Sequence, residues 1–178
     1  MKRVTVILLL ALVLLMTGCT AVSEEGSFIP YDREGNYIGF SDVPKKIYTA
    51  EEAEAAGCFV NDKTAVDRGR DVWEGFLQDA ASGKRAKIRI VQIFEDGTFV
   101  KDLYFDGEAY YCFYYEEPGL VSRRDHLLVL TGKWESWQEE NSVAILTNDP
   151  ELTYRDFFWS MISSNSSDWV DAVLLFFD

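Results

Sequence analysis

Residues 86–115, AKIRIVQIFEDGTFVKDLYFDGEAYYCFYY, hold three apolar runs separated by Asp96-Gly97 and Asp106-Gly107. Asp-Gly between such runs is the strongest short-range hairpin signal, because the tightest hairpin turns need positive φ at their central positions. The spacing predicts strands over 86–94, 98–105 and 108–115, joined as an antiparallel meander. With two residues in each turn the register follows: Ile88 faces Phe105, Ile90 faces Leu103, Leu103 faces Tyr110, Lys101 faces Cys112 and Phe99 faces Tyr114. These side chains make one apolar face for a helix to cover. The opposite face sets Lys87 against Asp106 and Arg89 against Tyr104, as a solvent face does. It also carries Val91, Ile93, Val100, Tyr104, Tyr111, Phe113 and Tyr115. Either residues 28–43 or the C-terminal helix cover that face, or it is a binding surface.

Outward from the meander, Val66, Val72, Trp73, Phe76, Leu77, Ala80 and Ala81 recur at helical spacing, and Ser82-Gly83 ends the run. Before it, Thr49 and Glu52 form a capping box for a short helix that Gly57 stops, and Phe59-Val60 starts a strand. Downstream, Leu127–Thr131 and Val143–Thr147 read as short strands. Asp149-Pro150 reads as a cap and first turn opening a helix to about Ser163, and Trp169–Phe177 as a final buried strand. This order implies an α+β fold: a single mainly antiparallel sheet with the meander at its centre and helices packed on one face.

The N-terminus carries an address. Lys2 and Arg3 precede a twelve-residue apolar run, Val4–Leu15, interrupted only by Thr5. That run is shorter than the roughly 20 residues a spanning helix needs, but it fits a secretory signal. Met16-Thr17-Gly18-Cys19 follows and reads as a lipobox, in which Cys19 is lipidated and becomes the first mature residue. The expected division is residues 1–18 signal peptide, 19–27 polar tether and 28–178 one α+β domain. Acyl chains on Cys19 would hold the protein to the extracytoplasmic face of a bacterial cell membrane. Cys58 and Cys112 remain as candidates for a disulfide or as small buried hydrophobes, and their spacing does not decide between the two.

The chain has 178 residues, 30 acidic against 17 basic, and a net charge of −13. A nucleic-acid partner is therefore excluded, because phosphate binding needs a basic footprint. The single histidine, His126, leads into a strand, and its neighbour Asp125 would point to the opposite face, so no nucleophile-base arrangement is legible. No zinc-ligand spacing, calcium loop or phosphate loop occurs, and neither a metal nor a cofactor is expected. Asp149, Glu151 and Asp156 suit a helix start better than a metal site. Aromatics reach 15% of the chain, and five are tryptophans. Tyr104, Tyr111, Phe113 and Tyr115 on the meander, with Trp134 and Trp137 in KWESWQEEN, are the candidate binding residues.

Residues 49–115 contain TAEEAEAAGCFVN, a helix, GKRAKIRIVQIFEDG and DLYFDGEAYYCFYY. This stretch resembles a group of small lipoproteins of unknown function from Gram-positive (Firmicutes) bacteria. In that group a similar helix precedes a K-x-K-I-R-I strand and a D-L-x-Y-D-G hairpin. The likeness covers under half of the chain and implies no catalytic residue. The expected role is a non-catalytic surface module binding a protein, peptide or wall component. The alternative is a carboxylate-dependent hydrolase of wall glycan or peptide, with Glu135, Glu139 and Glu140 beside Trp134 and Trp137 as its raw material.

Overall fold

The Thr49 side chain accepts a hydrogen bond from the Glu52 backbone N–H, and the Glu52 carboxylate accepts one from the Thr49 backbone N–H, so the capping box forms as its spacing predicts. It starts helix α1 (Ala50–Ala55), and strand β1 (Phe59–Asp62) follows. The structure is a computed structural model and describes residue 40 and residues 48–114, 121–134 and 139–178. Helix α2 (Arg70–Ala81) begins four residues later than the periodicity suggests, and Val66 is exposed. Asp67 is the cause. Its carboxylate accepts from the Asp62 backbone N–H at 2.8 Å and from the Asn61 amide at 3.2 Å, closing residues 62–67 into a turn. Gly69 then enters the helix at φ 65, and a side chain there would bring a Cβ within 2.5 Å of the Cys58 carbonyl oxygen.

The meander forms as β2 (Ala86–Phe94), β3 (Gly97–Phe105) and β4 (Tyr110–Tyr114), but both registers are displaced by two residues from expectation. Phe94 pairs with Gly97, so the first turn is Glu95-Asp96. Phe105 pairs with Tyr110 across a four-residue connection, because the Asp106 carboxylate accepts the Glu108 and Ala109 N–H groups and holds them in the loop. Ile88 therefore faces Leu103, Leu103 faces Cys112, and Arg89 faces Asp102. A slip of two keeps every side chain on its face, so the apolar face survives intact. Ile90 and Leu103 are both fully buried.

The expected single sheet is two. Strand β1 pairs parallel with β2, which makes the first sheet a mixed one of order β1-β2-β3-β4-β5, with β5 at Val121–Arg124. The parallel step is possible because α2 supplies the long crossover it requires. Strand β6 (His126–Gly132) follows β5 with one residue between them, and the second sheet runs β6-β7-β8, with β7 at Asn141–Thr147 and β8 at Ala172–Phe177. The chain crosses between sheets at Asp125, a strand bend of the kind that makes sheet corners. Helix α3 (Tyr154–Ile162) starts at Thr153 rather than at Pro150. Asp149 instead closes a turn onto the Glu151 N–H, and Thr153 caps the helix by accepting from Asp156.

Both sheets feed one core. Phe59, Trp73, Phe76, Ile90 and Leu103 from the first sheet and α2 touch Ala144, Leu146, Val173, Leu175 and Phe176 from the second. Helix α2 packs on β1 and β2, while α3 lies against β6, so the helices serve different sheets. The outer face of the meander is not a solvent face. Val91 is covered by α1 together with Tyr48, Cys58 and Val60, and the Phe40 ring lies 4.8 Å from the Arg89 guanidinium.

Cys58 and Cys112 form no disulfide and are buried on opposite faces of the five-stranded sheet. With Cys112 on β4 and Cys58 beside β1, three strand spacings of ~4.8 Å separate them, far beyond bridging distance. Of the two alternatives left open by the sequence, that geometry leaves the small buried hydrophobes. Burial also pushes the Cys112 thiol up to about 12. Both thiols should therefore react with a thiol reagent only as fast as the protein unfolds, and immediate modification of the native protein would contradict their placement.

Candidate functional site

Strand β8 is an edge strand, yet its outward carbonyls are occupied. The Lys101 ammonium donates to the Leu174 and Leu175 carbonyls at 3.1 and 2.9 Å and to the Gln92 side chain at 2.7 Å. The Asn61 amide and the Lys63 ammonium both donate to the Phe177 carbonyl, at 3.0 and 2.5 Å. Asn61, Gln92 and Lys101 each stand two residues from Phe59, Ile90 and Leu103 on their strands, so they continue the core face and turn it polar at one end. Arg70 completes the seam by gripping both carboxylate oxygens of Asp178 and one of Asp67.

Where this seam meets α3 the surface opens into a cleft of about 660 Å³, lined by Lys63, Glu139, Asn141, Tyr154, Phe158, Phe177 and Asp178. Its wall is aromatic because α3 places Tyr154 and Phe158 one turn apart, with ring centroids 6.0 Å apart and planes 18° from parallel. Phe158 stacks in turn on Trp134 at 5.0 Å, and Trp134 on Trp159 at 5.7 Å. Gly132 permits the approach of Tyr154, since a Cβ there would come within 2.7 Å of its ring. Trp159 at the end of this run is 47% exposed and Trp169 is 64% exposed. Their indole N–H groups are spent on Asp168 and on the Ser163 carbonyl, which fixes both rings in place.

Several of the described carboxylates have identifiable structural partners. Hydrogen bonds from Arg70 hold the Asp178 carboxyl below its ordinary range against the opposing effect of burial. Asp102 is paired with Arg89, Asp106 closes its own loop, Asp156 bonds Thr153, and hydrogen bonds from Ser163 and then Trp159 lower Asp168. A general acid needs the opposite shift, a carboxyl held neutral near neutral pH. Among the described residues, no group of three or more His, Cys, Asp or Glu side chains is placed to hold a metal ion.

The expected binding residues divide. Tyr104 and Phe113 are buried in a small cluster with Tyr111 and Val121 packed against them, and of these three candidates Tyr111 is the half-exposed one. Burial raises the Tyr111 hydroxyl, and Asp106 adds to that effect. Trp134 joins the aromatic wall, half-buried. Tyr115, Trp137, Glu135 and Cys19 lie outside the described residues. Sequence reasoning missed Tyr154, Phe158, Phe177 and Lys63. The run YRDFFW carried the signal for the first two, since its aromatics recur at helical spacing and exceed what one buried stripe uses. No family model matches the chain, nor does any curated protein or solved structure.

Proposed function

We propose that this chain is exported, lipid-anchored through Cys19 at the extracytoplasmic face of a bacterial cell membrane, and acts there as a non-catalytic binding module. The partner class is a protein, peptide or wall component. The observation that carries the binding role is the cleft at α3, an open aromatic wall beside a carboxylate that is locked to Arg70. Such a surface can hold a ligand, whereas a carboxylate hydrolase needs an acid with a raised pKa paired with a second carboxylate at catalytic separation. The resemblance of residues 49–115 to small Gram-positive lipoproteins agrees with the anchoring.

Export and anchoring are tested by metabolic labelling. A radiolabelled fatty acid should enter the wild-type chain and not Cys19→Ala, and the variant should be released from the membrane fraction. Equal labelling of both would end the lipoprotein reading. Binding is tested by crosslinking the intact protein on cells and identifying the captured material. Capture of no wall or protein component above a labelled-lipid control would remove the binding role.

A further inference from the structure

We infer that β6 is a docking edge for a second copy of this chain, pairing antiparallel with its own counterpart about a two-fold axis at Val129. The inference does not depend on the binding-module reading. It starts from how unevenly the fold treats its strand edges. The outward carbonyls of β8 are taken by Asn61, Lys63 and Lys101, and Val60 on β1 exchanges two backbone hydrogen bonds with Arg68. Strand β6, HLLVLTG, has no Asp, Glu, Lys, Arg or Pro to blunt its edge, and its register with β7 is unbroken.

The groups that face outward from β6 follow from the ladder. On β7 the Ser142 carbonyl accepts from the Asp178 N–H, on the β8 side. A residue in an antiparallel sheet turns its N–H and C=O to the same side, so Ser142 and Thr131 form a non-hydrogen-bonded pair. The 3.0 Å contact between their hydroxyls agrees, since such pairs lie closer together. The N–H and C=O of Thr131 therefore point away from β7, and with period two so do those of Val129 and Leu127. Among the described residues, none of these groups has a hydrogen bond.

One register uses all of them. With the axis at Val129, Val129 pairs with Val129 of the second copy and Leu127 with Thr131, and every such pair exchanges two hydrogen bonds. Leu128 meets Leu130 at the alternate positions. The Val129 side chain, 49% exposed in the monomer, is covered by its own copy. Charge selects the same register. Counting outward from the axis, His126 lies opposite Gly132 and Asp125 opposite Lys133, so an exposed anion and an exposed cation meet at both ends of the seam. A shift of two residues either way loses hydrogen bonds and parts Asp125 from Lys133. Copies of a chain carrying −13 repel over most of their surface, and this uncharged strand with complementary ends is where they can meet.

The test is sedimentation equilibrium of the purified full-length protein in density-matched detergent, with thiol crosslinking beside it. The wild type should pass from monomer to dimer as its concentration rises to about 100 μM, the weak association expected of a small interface. Val129→Lys sets two ammonium groups against each other at the axis. It should keep the unfolding transition of the wild type and remain monomeric. Lys133→Asp should weaken association about tenfold, since two attractive pairs become repulsive, and Asp125→Lys combined with Lys133→Asp should restore it. Val129→Cys, oxidised with copper phenanthroline, should give a disulfide-linked dimer, because hydrogen-bonded antiparallel partners stand ~5.5 Å apart at Cα. The wild type treated alike is the baseline, and Val66→Cys, at a position 80% exposed before α2, should not exceed it. A wild type that stays monomeric throughout overturns the inference, as does a dimer left intact by Val129→Lys or equal crosslinking from positions 66 and 129. If the wild type is monomeric and the Val129→Cys chain crosslinks on cells to a different protein, β6 takes a foreign strand and the self-pairing is overturned.

Discussion

Asp102→Ala is expected to destabilise the fold by about 3–5 kcal/mol, measured by urea denaturation. Asp102 and Arg89 sit opposite each other on β3 and β2, and the guanidinium donates in a fork, Nε to Oδ1 at 2.7 Å and Nη2 to Oδ2 at 2.8 Å. The side chains are 0% and 8% exposed, and Phe40 covers the guanidinium. Truncating the carboxylate leaves that cation buried without its matching anion, and the desolvation it suffered on folding is no longer offset. Arg89→Leu combined with Asp102→Leu removes both charges at once. The double variant should recover most of the loss, because a buried pair and an apolar pair of similar volume differ little in net stability. If Asp102→Ala costs under about 1 kcal/mol, the pair behaves as a surface salt bridge and its burial is wrong.

That ion pair shows where the sequence could and could not be read. The faces of β2, β3 and β4 were legible because side chains alternate with period two, and burial enforces the alternation. The register was not. Its two-residue displacement comes from the turns: Gly97 is used as the first residue of a strand, and Asp106 spends its carboxylate on two loop N–H groups. A displacement of two leaves every side chain on its own face and alters which residues meet across the strands. Arg89 therefore looked like a solvent residue opposite Tyr104, when its partner is Asp102. The second sheet was hidden for a similar reason. Its strands are readable as strands, but the bend at Asp125 that removes β6 from the first sheet is a single residue with no glycine or proline to mark it. The cleft depends on contacts between Lys63, Asn141, Phe158 and Phe177, residues far apart in the chain that only the tertiary fold brings together.

Leu103→Ala is the complementary test of the apolar face, with an expected cost of about 2–5 kcal/mol by the same denaturation measurement. Leu103 lies on the middle strand of the meander, paired with Ile88 on one side and Cys112 on the other, and is fully buried in the core that both sheets share. The loss has two parts: the transfer free energy of the deleted methyl groups, and the cavity left in a rigid surround. Little relaxation is available to fill it, because the strand is fixed by ladders on both edges and α2 is held over β1 and β2. The upper half of the range is therefore expected. Phe99, on the same strand and the same face but near its exposed end, gives the control. It is 44% exposed with an edge-on contact to Phe94, so Phe99→Ala should cost about 1 kcal/mol or less. A ratio near one between the two variants would mean that the shared core does not extend over this strand. In that case the second sheet would not be packed where Ala144, Leu146 and Leu175 place it.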